Sequence, residues 1–527
     1  MRRITICALC LFFLMCGVGS APAVDFYVDP VDGDDASNGL SWEAPLRTIT
    51  GAARIGASDR FLTVYLSDGV FSRESGEVFP ISFTYPPWLQ GVSPERTIID
   101  PGTSGTIIEN SSASGDWVVL YGLTFLGHSM QTDMVDANPM INVRANDALI
   151  QRVNFEGFSS QTQFMLGSSL LYGFLYFQDC GFIECDARWF TLYDCYPDLL
   201  VHQCLFTGSS LTNDQDERFT PFHAELVDCR FSGPGSLEGF DSFGELAYIN
   251  CEFEDFRLQI LSGGSGSHGG YVYYYPRDLI GCSFKNSTIE INTHQNGPDF
   301  ELCAFDPASE LVITSGAAVL FFCCSSFVSN DHIYLSLPIE GTPLFVEGPL
   351  GGCYLSNTES GQWTSSPCVD IDTYERRDCW PAGSTTRTDG VPDQLPFDIG
   401  YHYPSVAPPP PAIWVETDRQ DYAPGDEMTV SVGYENRGVR VEGAMYIAFG
   451  PESLDWLVYW PWMTFTPTSF AHGTFYSGLT YPNLGTTTHT IPPGLASGTY
   501  FWLAAVLNAD ASLASDLNVW PITIAGG

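Results

Sequence analysis

One short frame recurs along the middle of this chain, 21 to 31 residues apart, and it limits the fold more than any other feature. It is plainest in LYFQDCGF, Leu175 to Phe182, where Cys180 has an apolar residue three places before it and Phe182 two places after. The frame repeats in VHQCLF (Val201, Cys204, Phe206), LVDCRF (Leu226, Cys229, Phe231), YINCEF (Tyr248, Cys251, Phe253), LIGCSF (Leu279, Cys282, Phe284) and FELCAF (Phe300, Cys303, Phe305). With the cysteine replaced it continues in LYGLTF (Leu120, Leu123, Phe125), IQRVNF (Ile150, Val153, Phe155) and FCCSSF (Phe322, Ser325, Phe327).

A repeat of this length is one supersecondary unit stacked on copies of itself. Around each marker the chain is rich in Phe, Tyr, Val, Ile and Cys, and Gly, Asn, Asp, Ser or Pro interrupts it every few residues. No window sustains an apolar period of 3.6, so short strands fit and helix pairs do not. The cysteine and the phenylalanine two places on obey strand alternation; the apolar residue three places before does not, so a corner lies between. Stacking such coils sets each marker on its predecessor about 4.8 Å away. The prediction is an all-β parallel β-helix, a solenoid with a cysteine column and a phenylalanine column inside.

Charge narrows the partners. The chain holds 62 acidic against 21 basic residues, and Lys285 is its lone lysine. Such a surface repels nucleic acid and anionic lipid, and disfavours polyanionic sugars unless a divalent cation intervenes. Residues 1–23 read as a signal peptide: Arg2 and Arg3, an apolar run from Ile4 to Val18, then Ala21-Pro22-Ala23 as the cleavage site. A lipoprotein signal using Cys16 is the alternative, but Met15 stands where a small residue is wanted. Export to the cell surface, the medium or the periplasm, with cleavage after Ala23, is therefore expected. No later stretch is long and apolar enough to span a bilayer.

Of 16 cysteines, Cys7, Cys10 and Cys16 leave with the leader. Those at 180, 204, 229, 251, 282 and 303 suit an inward packing column, because in-register parallel neighbours have poor disulfide geometry. Cys368 and Cys379 share a polar, proline-containing loop and are the disulfide candidates. No C-x-x-C pair outside the leader favours zinc.

The mature start, VDFYVDPVDGDDASNGLSWEAPLRTITGAARIG, offers the strand Phe26-Tyr27-Val28, the turn Asp32-Gly33-Asp34-Asp35, Asn38-Gly39, and Pro45-Leu46-Arg47-Thr48-Ile49. Further on come Gly69 to Pro80, GVFSRESGEVFP, and a late segment with SPC, DG and DIGYHY. These pieces resemble secreted bacterial right-handed parallel β-helix proteins of the pectate-lyase-like superfamily, specifically the DUF1565-type group. The resemblance implies the fold over residues 25–403, and implies little about activity. Residues 45–56 are predicted to form a capping helix with Leu46, Ile49, Ala53 and Ile55 turned to the first coil. Asp32, Asp34 and Asp35 could hold Ca²⁺, a hard cation suited to carboxylates, or form an ordinary Asp/Gly turn.

The expected organisation is a leader at 1–23, a strand and cap helix at 24–60, coils at 61–360, and a closing segment at 361–407 laid over the last coil. A polyproline spacer at 408–411 leads to alternating strands at 412–527. Those strands, with the Tyr422…Pro424-Gly425-Asp426 turn, resemble an immunoglobulin-like β-sandwich module.

No Ser-His-Asp pattern, phosphate loop, dinucleotide fingerprint or zinc-protease motif is present. A polar row precedes the markers: Arg152, Asp179, Gln203, Asp228 and Asn250, with His202 one place earlier. Arg152, Asp179, His202 and Asp228 have the types a lyase or hydrolase needs, whereas polar side chains at corners also serve free backbone groups. Tyr271, Tyr273, Tyr274 and Tyr275 in a glycine-rich insertion could stack on sugar rings or add a strand. Two functions follow: an exported, non-catalytic protein binding an extracellular glycan or surface partner, or a polysaccharide lyase or glycoside hydrolase.

Overall fold

A computed structural model describes residues 24–525 except 103–105, 112–116, 128–140, 146, 159–161, 164–165, 168–173, 189–197, 213–222, 241–244, 262–266, 269–270, 273–276, 294–296, 328–330, 372–382, 395, 461–462, 478 and 509. The protein is built almost wholly of strands, which form a long parallel sheet and then smaller antiparallel sheets. It is a parallel β-helix followed by a β-sandwich. The chain divides into two compact units: one reaches Glu225 and includes 234–245, and the other comprises Leu226–Gly233, Leu246–Ser262 and everything from Ser267.

The frame found in the sequence sets the register within each unit. Val153 lies opposite Leu123, and Phe155 opposite Phe125. Phe182 lies opposite Phe206, with rings stacked 4.8 Å apart. In the second unit Phe231, Phe253, Phe284 and Phe305 stack at 4.7 to 4.9 Å, nearly parallel. The column cysteines are buried and free. Their thiols donate to carbonyls of the neighbouring coil, as from Cys251 to Leu226 O at 3.4 Å and from Cys303 to Leu279 O at 3.2 Å. Buried thiols held this way are inert packing.

One register differs from the expectation. Phe300 pairs with Leu320 and Ala304 with Cys324, so the marker after Cys303 is Cys323, not Ser325. Phe327 therefore does not continue the stack; it meets Phe305 edge-on. Phe322 sits at the corner instead, with φ +51.

That corner is the device that makes the coil. Gly122, Arg152, Asp179 and Gln203 in the first unit, and Asp228, Asn250, Gly281, Leu302 and Phe322 in the second, all have φ between +50 and +64. Each turns the chain, and at Asp179, Asp228, Asn250, Gly281, Leu302 and Phe322 the N–H still bonds to the next coil, as Asn250 N does to Ile280 O at 2.8 Å. Five residues on, a second left-handed corner follows at Gly157, Glu184, Gly208, Gly233, Asp255 and Asn286. Gly, Asn and Asp are common at these sites because other L-residues pay about 1–2 kcal/mol for that conformation.

The first coil is closed by a helix, Ile49–Ile55, whose exposed N–H groups are all met. Thr48 Oγ1 accepts from Gly51 N, and Asp35 accepts from Thr48 N and Oγ1 at 2.9 and 2.6 Å. Glu77, buried, accepts from Ile49 N, Thr50 N and Thr50 Oγ1. Leu46, Ile49 and Ala53 are buried as expected. Ile55 is not: it is 43% exposed, because the helix ends there at Gly56 and its last turn faces outward.

The closing segment does more than cover the last coil. Its DIGYHY stretch lies on the short-strand face of the second unit's coils. Tyr401 N donates to Ser283 Oγ at 2.8 Å, and Tyr403 Oη to Glu252 at 2.6 Å. Glu252 also takes Arg230 at 2.6 Å. Gly400 lets the backbone come this close, since a Cβ there would stand 2.6 Å from Ser283 Oγ.

The sandwich packs a three-stranded sheet (Ala412–Thr417, Glu427–Asn436, Leu479–Thr490) against a six-stranded one around Val430, Val432, Ile447 and Trp502. It is seated on the closing segment: Thr388 Oγ1 and Ser477 Oγ share a buried hydrogen bond of 2.8 Å, and Trp363 meets Tyr476 edge-on. The polyproline stretch is packed too, with Gly438 leaving room for Pro409 O.

Candidate functional site

A polar cavity of about 440 Å³ opens in the closing segment, lined by Asn357, Glu359, Asp370, Arg387, Asp393 and Asp398 among others. Loops build it. A single helical turn, Thr358–Ser360, is capped by Asn357, whose side chain accepts from Glu359 N at 2.8 Å. Asp370 turns outward at φ +58. The strand Ser384–Thr385, just before Arg387 of the lining, pairs with Tyr403–Pro404.

Two buried carboxyls form its floor. Asp398 accepts from Asp370 N at 2.7 Å and from the Thr386 hydroxyl. Burial, and then the neighbouring charge of Asp393, push its pKa up to about 6. Asp393 accepts from Thr386 N at 3.0 Å and stands 3.1 Å from His402 Nε2, with both side chains almost fully buried. His402 Nδ1 is 2.9 Å from Gly400 O. Arg387 is held by both oxygens of Asp389 and by Glu359 at 2.7 Å, so its charge is already matched. Among the described residues the cavity thus offers carboxylates and amides to a ligand rich in O–H or N–H donors, and no free cation to an anionic one.

The residues singled out from the sequence are elsewhere. Arg152 is exposed at a corner of the first unit, donating to Tyr121 Oη at 3.1 Å, its guanidinium over that ring. Asp179 is exposed at the next corner, and His202 lies edge-on to Tyr176. Asp228 belongs to the second unit, where Asn250 donates to it at 2.7 Å. Asn250 in turn brackets the closing segment, accepting from His402 N at 2.6 Å and donating to His402 O at 2.9 Å. At Asp228 and Asn250 the polar row is a ladder for backbone and neighbours.

Asp34 accepts from Ala36 N and Asp35 serves the cap helix. Among the described residues no group of three or more His, Cys, Asp or Glu is placed to hold a metal ion, the Asp32, Asp34, Asp35 turn included. Tyr271 stands in a two-residue strand paired with Ser267–His268; Tyr273, Tyr274 and Tyr275 lie outside the described residues. Cys368 is a buried free thiol packed with Cys324, and Cys379 lies outside the described residues. Among the described residues no helix is long and apolar enough to cross a membrane.

Sequence reasoning missed Asp393, Asp398 and His402. The signal was there in the dense acids of TRTDGVPDQLPFDIGYHY, but that stretch has no period to align. A family described as a protein of unknown function, DUF1565, matches residues 31–112. The match takes in the helix with its Asp35 and Glu77 partners, and stops far short of the acidic cavity. No curated protein matches the chain.

Proposed function

We propose that this is an exported protein that binds an extracellular glycan or other surface component without cleaving it, and that the acidic cavity of the closing segment is the contact. The observation that supports it most is the cavity's lining, Asp370, Gln394, Glu359 and Asn357 around about 440 Å³, beside a cation already matched by Asp389. Carboxylates and amides accept from sugar hydroxyls, and an acid-rich wall favours neutral or basic sugars over polyuronates. The sandwich, read as an immunoglobulin-like accessory module, and the leader at 1–23 fit such a protein. The floor supports binding without turnover, since both oxygens of Asp398 are taken by internal donors.

One observation favours the hydrolase reading. Two carboxyls share the cavity, and burial raises one of them, Asp398, to about 6, as a general acid requires. A panel of polysaccharides tested against the mature chain decides. Binding weakened about ten-fold by Asp370→Ala, with no release of reducing ends, supports the proposal. Reducing ends whose release stops in Asp398→Asn install the hydrolase; unsaturated products that stop in Arg152→Ala or Asp179→Ala install the lyase.

A further inference from the structure

A second cavity, of about 560 Å³, lies in the sandwich and is lined from both of its sheets. Met428 and Ile491 wall it on one side and Phe449 and Trp456 on the other, while Phe465 stands at the rim, 73% exposed. Among the described residues no Asp, Glu, Lys or Arg lines it. Apolar walls with a few polar groups, in a cavity of this size, are the usual form of a small-molecule site.

Two polar atoms at this wall have no partner among the described residues. His489 lines the cavity with its Nε2 buried and unpaired. Trp502, fully buried, has an unpaired Nε1. Its ring is 5.1 Å from Phe449 and 6.0 Å from His489, so it backs the same wall. Buried polar groups nearly always have a partner, so adjacent orphans beside a cavity point to an absent one. Burial also holds the His489 pKa below its ordinary value, which keeps the imidazole neutral and able to accept a hydrogen bond near pH 7.

We propose that this cavity binds a neutral, apolar ring compound with one hydrogen-bond donor, the ring packed on Phe449, Trp456 and Phe465 and the donor on His489 Nε2. Charge excludes the nearest alternative. The chain's 62 acidic residues oppose an anionic amphiphile, and the walls give a cation no counter-charge.

The probe is N-phenyl-1-naphthylamine, an uncharged aromatic amine with a single N–H, whose fluorescence rises in apolar sites. The full mature chain should bind it saturably, one to one. Phe465→Ala, at an exposed position that leaves folding intact, should weaken binding about ten-fold, and His489→Phe, which keeps the ring and removes the acceptor, about three-fold. Asp370→Ala should leave it unchanged, which separates this cavity from the acidic one. A rise that does not saturate overturns the proposal. So does saturation that neither Phe465→Ala nor His489→Phe shifts by more than about two-fold, or a loss of binding in Asp370→Ala.

Discussion

The left-handed corners of the two units can be laid side by side. In the first unit, Arg152, Asp179 and Gln203 turn the chain in the open, and their side chains are exposed. In the second, Asp228 is half-buried and Asn250 fully buried, because the closing segment rests on that corner. The backbone does the same work in both, at φ near +50. In the covered row the side chains also hold a second segment of chain, since Asn250 reads both backbone groups of His402, whereas Arg152 in the open row reaches only Tyr121 of the neighbouring coil. A recurring polar position in a solenoid is first a conformational requirement. What lies on top of it decides whether it becomes anything else.

Substitution at the covered corner should have the largest effect. Asn250→Leu loses three hydrogen bonds, buries His402 N–H and C=O unmatched, and keeps an unfavourable φ; we expect a loss of about 4 kcal/mol in urea unfolding. Gln203→Leu, at the open corner, should cost about 0.5 kcal/mol. Equal losses would mean that the cover contributes nothing.

The next effect is a pH dependence. The folded pKa of Asp398, about 6, lies above its ordinary value, so the native state holds the proton longer than the unfolded chain. Its contribution is fully present below about pH 4 and falls away as pH rises through 6, by up to about 3 kcal/mol. Asp398→Asn should flatten that slope between pH 4 and 6; an unchanged slope would place its cause elsewhere. Tyr403→Phe removes the hydroxyl shared by Glu252 and Cys353 N and should cost about 2 kcal/mol. The smallest change carries the opposite sign. Asp179→Gly, at an open left-handed corner, should raise stability by about 0.5 kcal/mol, read from the same melts.

The coils were legible because Cys180, Phe182 and their counterparts repeat one inward geometry, and apolar burial leaves a period that can be counted. The slip at Phe322 has the same origin. Matching phenylalanine to phenylalanine placed Phe327 in the stack, whereas the chain puts an apolar residue at a corner that usually takes Gly, Asn or Asp. The second corner went unread although Gly157, Gly208 and Gly233 mark it. The acidic cavity was least legible. Asp370, Asp393, Asp398 and His402 meet through loops, and loop contacts have no period. In the opening segment, Glu77 belongs to a motif that was recognised, but nothing in its spacing showed that it would serve a helix 28 residues earlier.

The constant interval between the two corners has a consequence for editing the gene. Coil length varies, yet the stretch from one left-handed corner to the next does not: 152 to 157, 179 to 184 and 203 to 208 are each five residues. All variation in length is therefore carried by the other sides of the coil, and this side is a fixed splice point. Deleting 153–179 would join Arg152 to Cys180, bring Cys180 opposite Leu123 and Phe182 opposite Phe125, and leave every inward side chain still facing inward. Whole coils can be cut or duplicated here like links in a chain, whereas a deletion one residue longer or shorter would turn the core inside out.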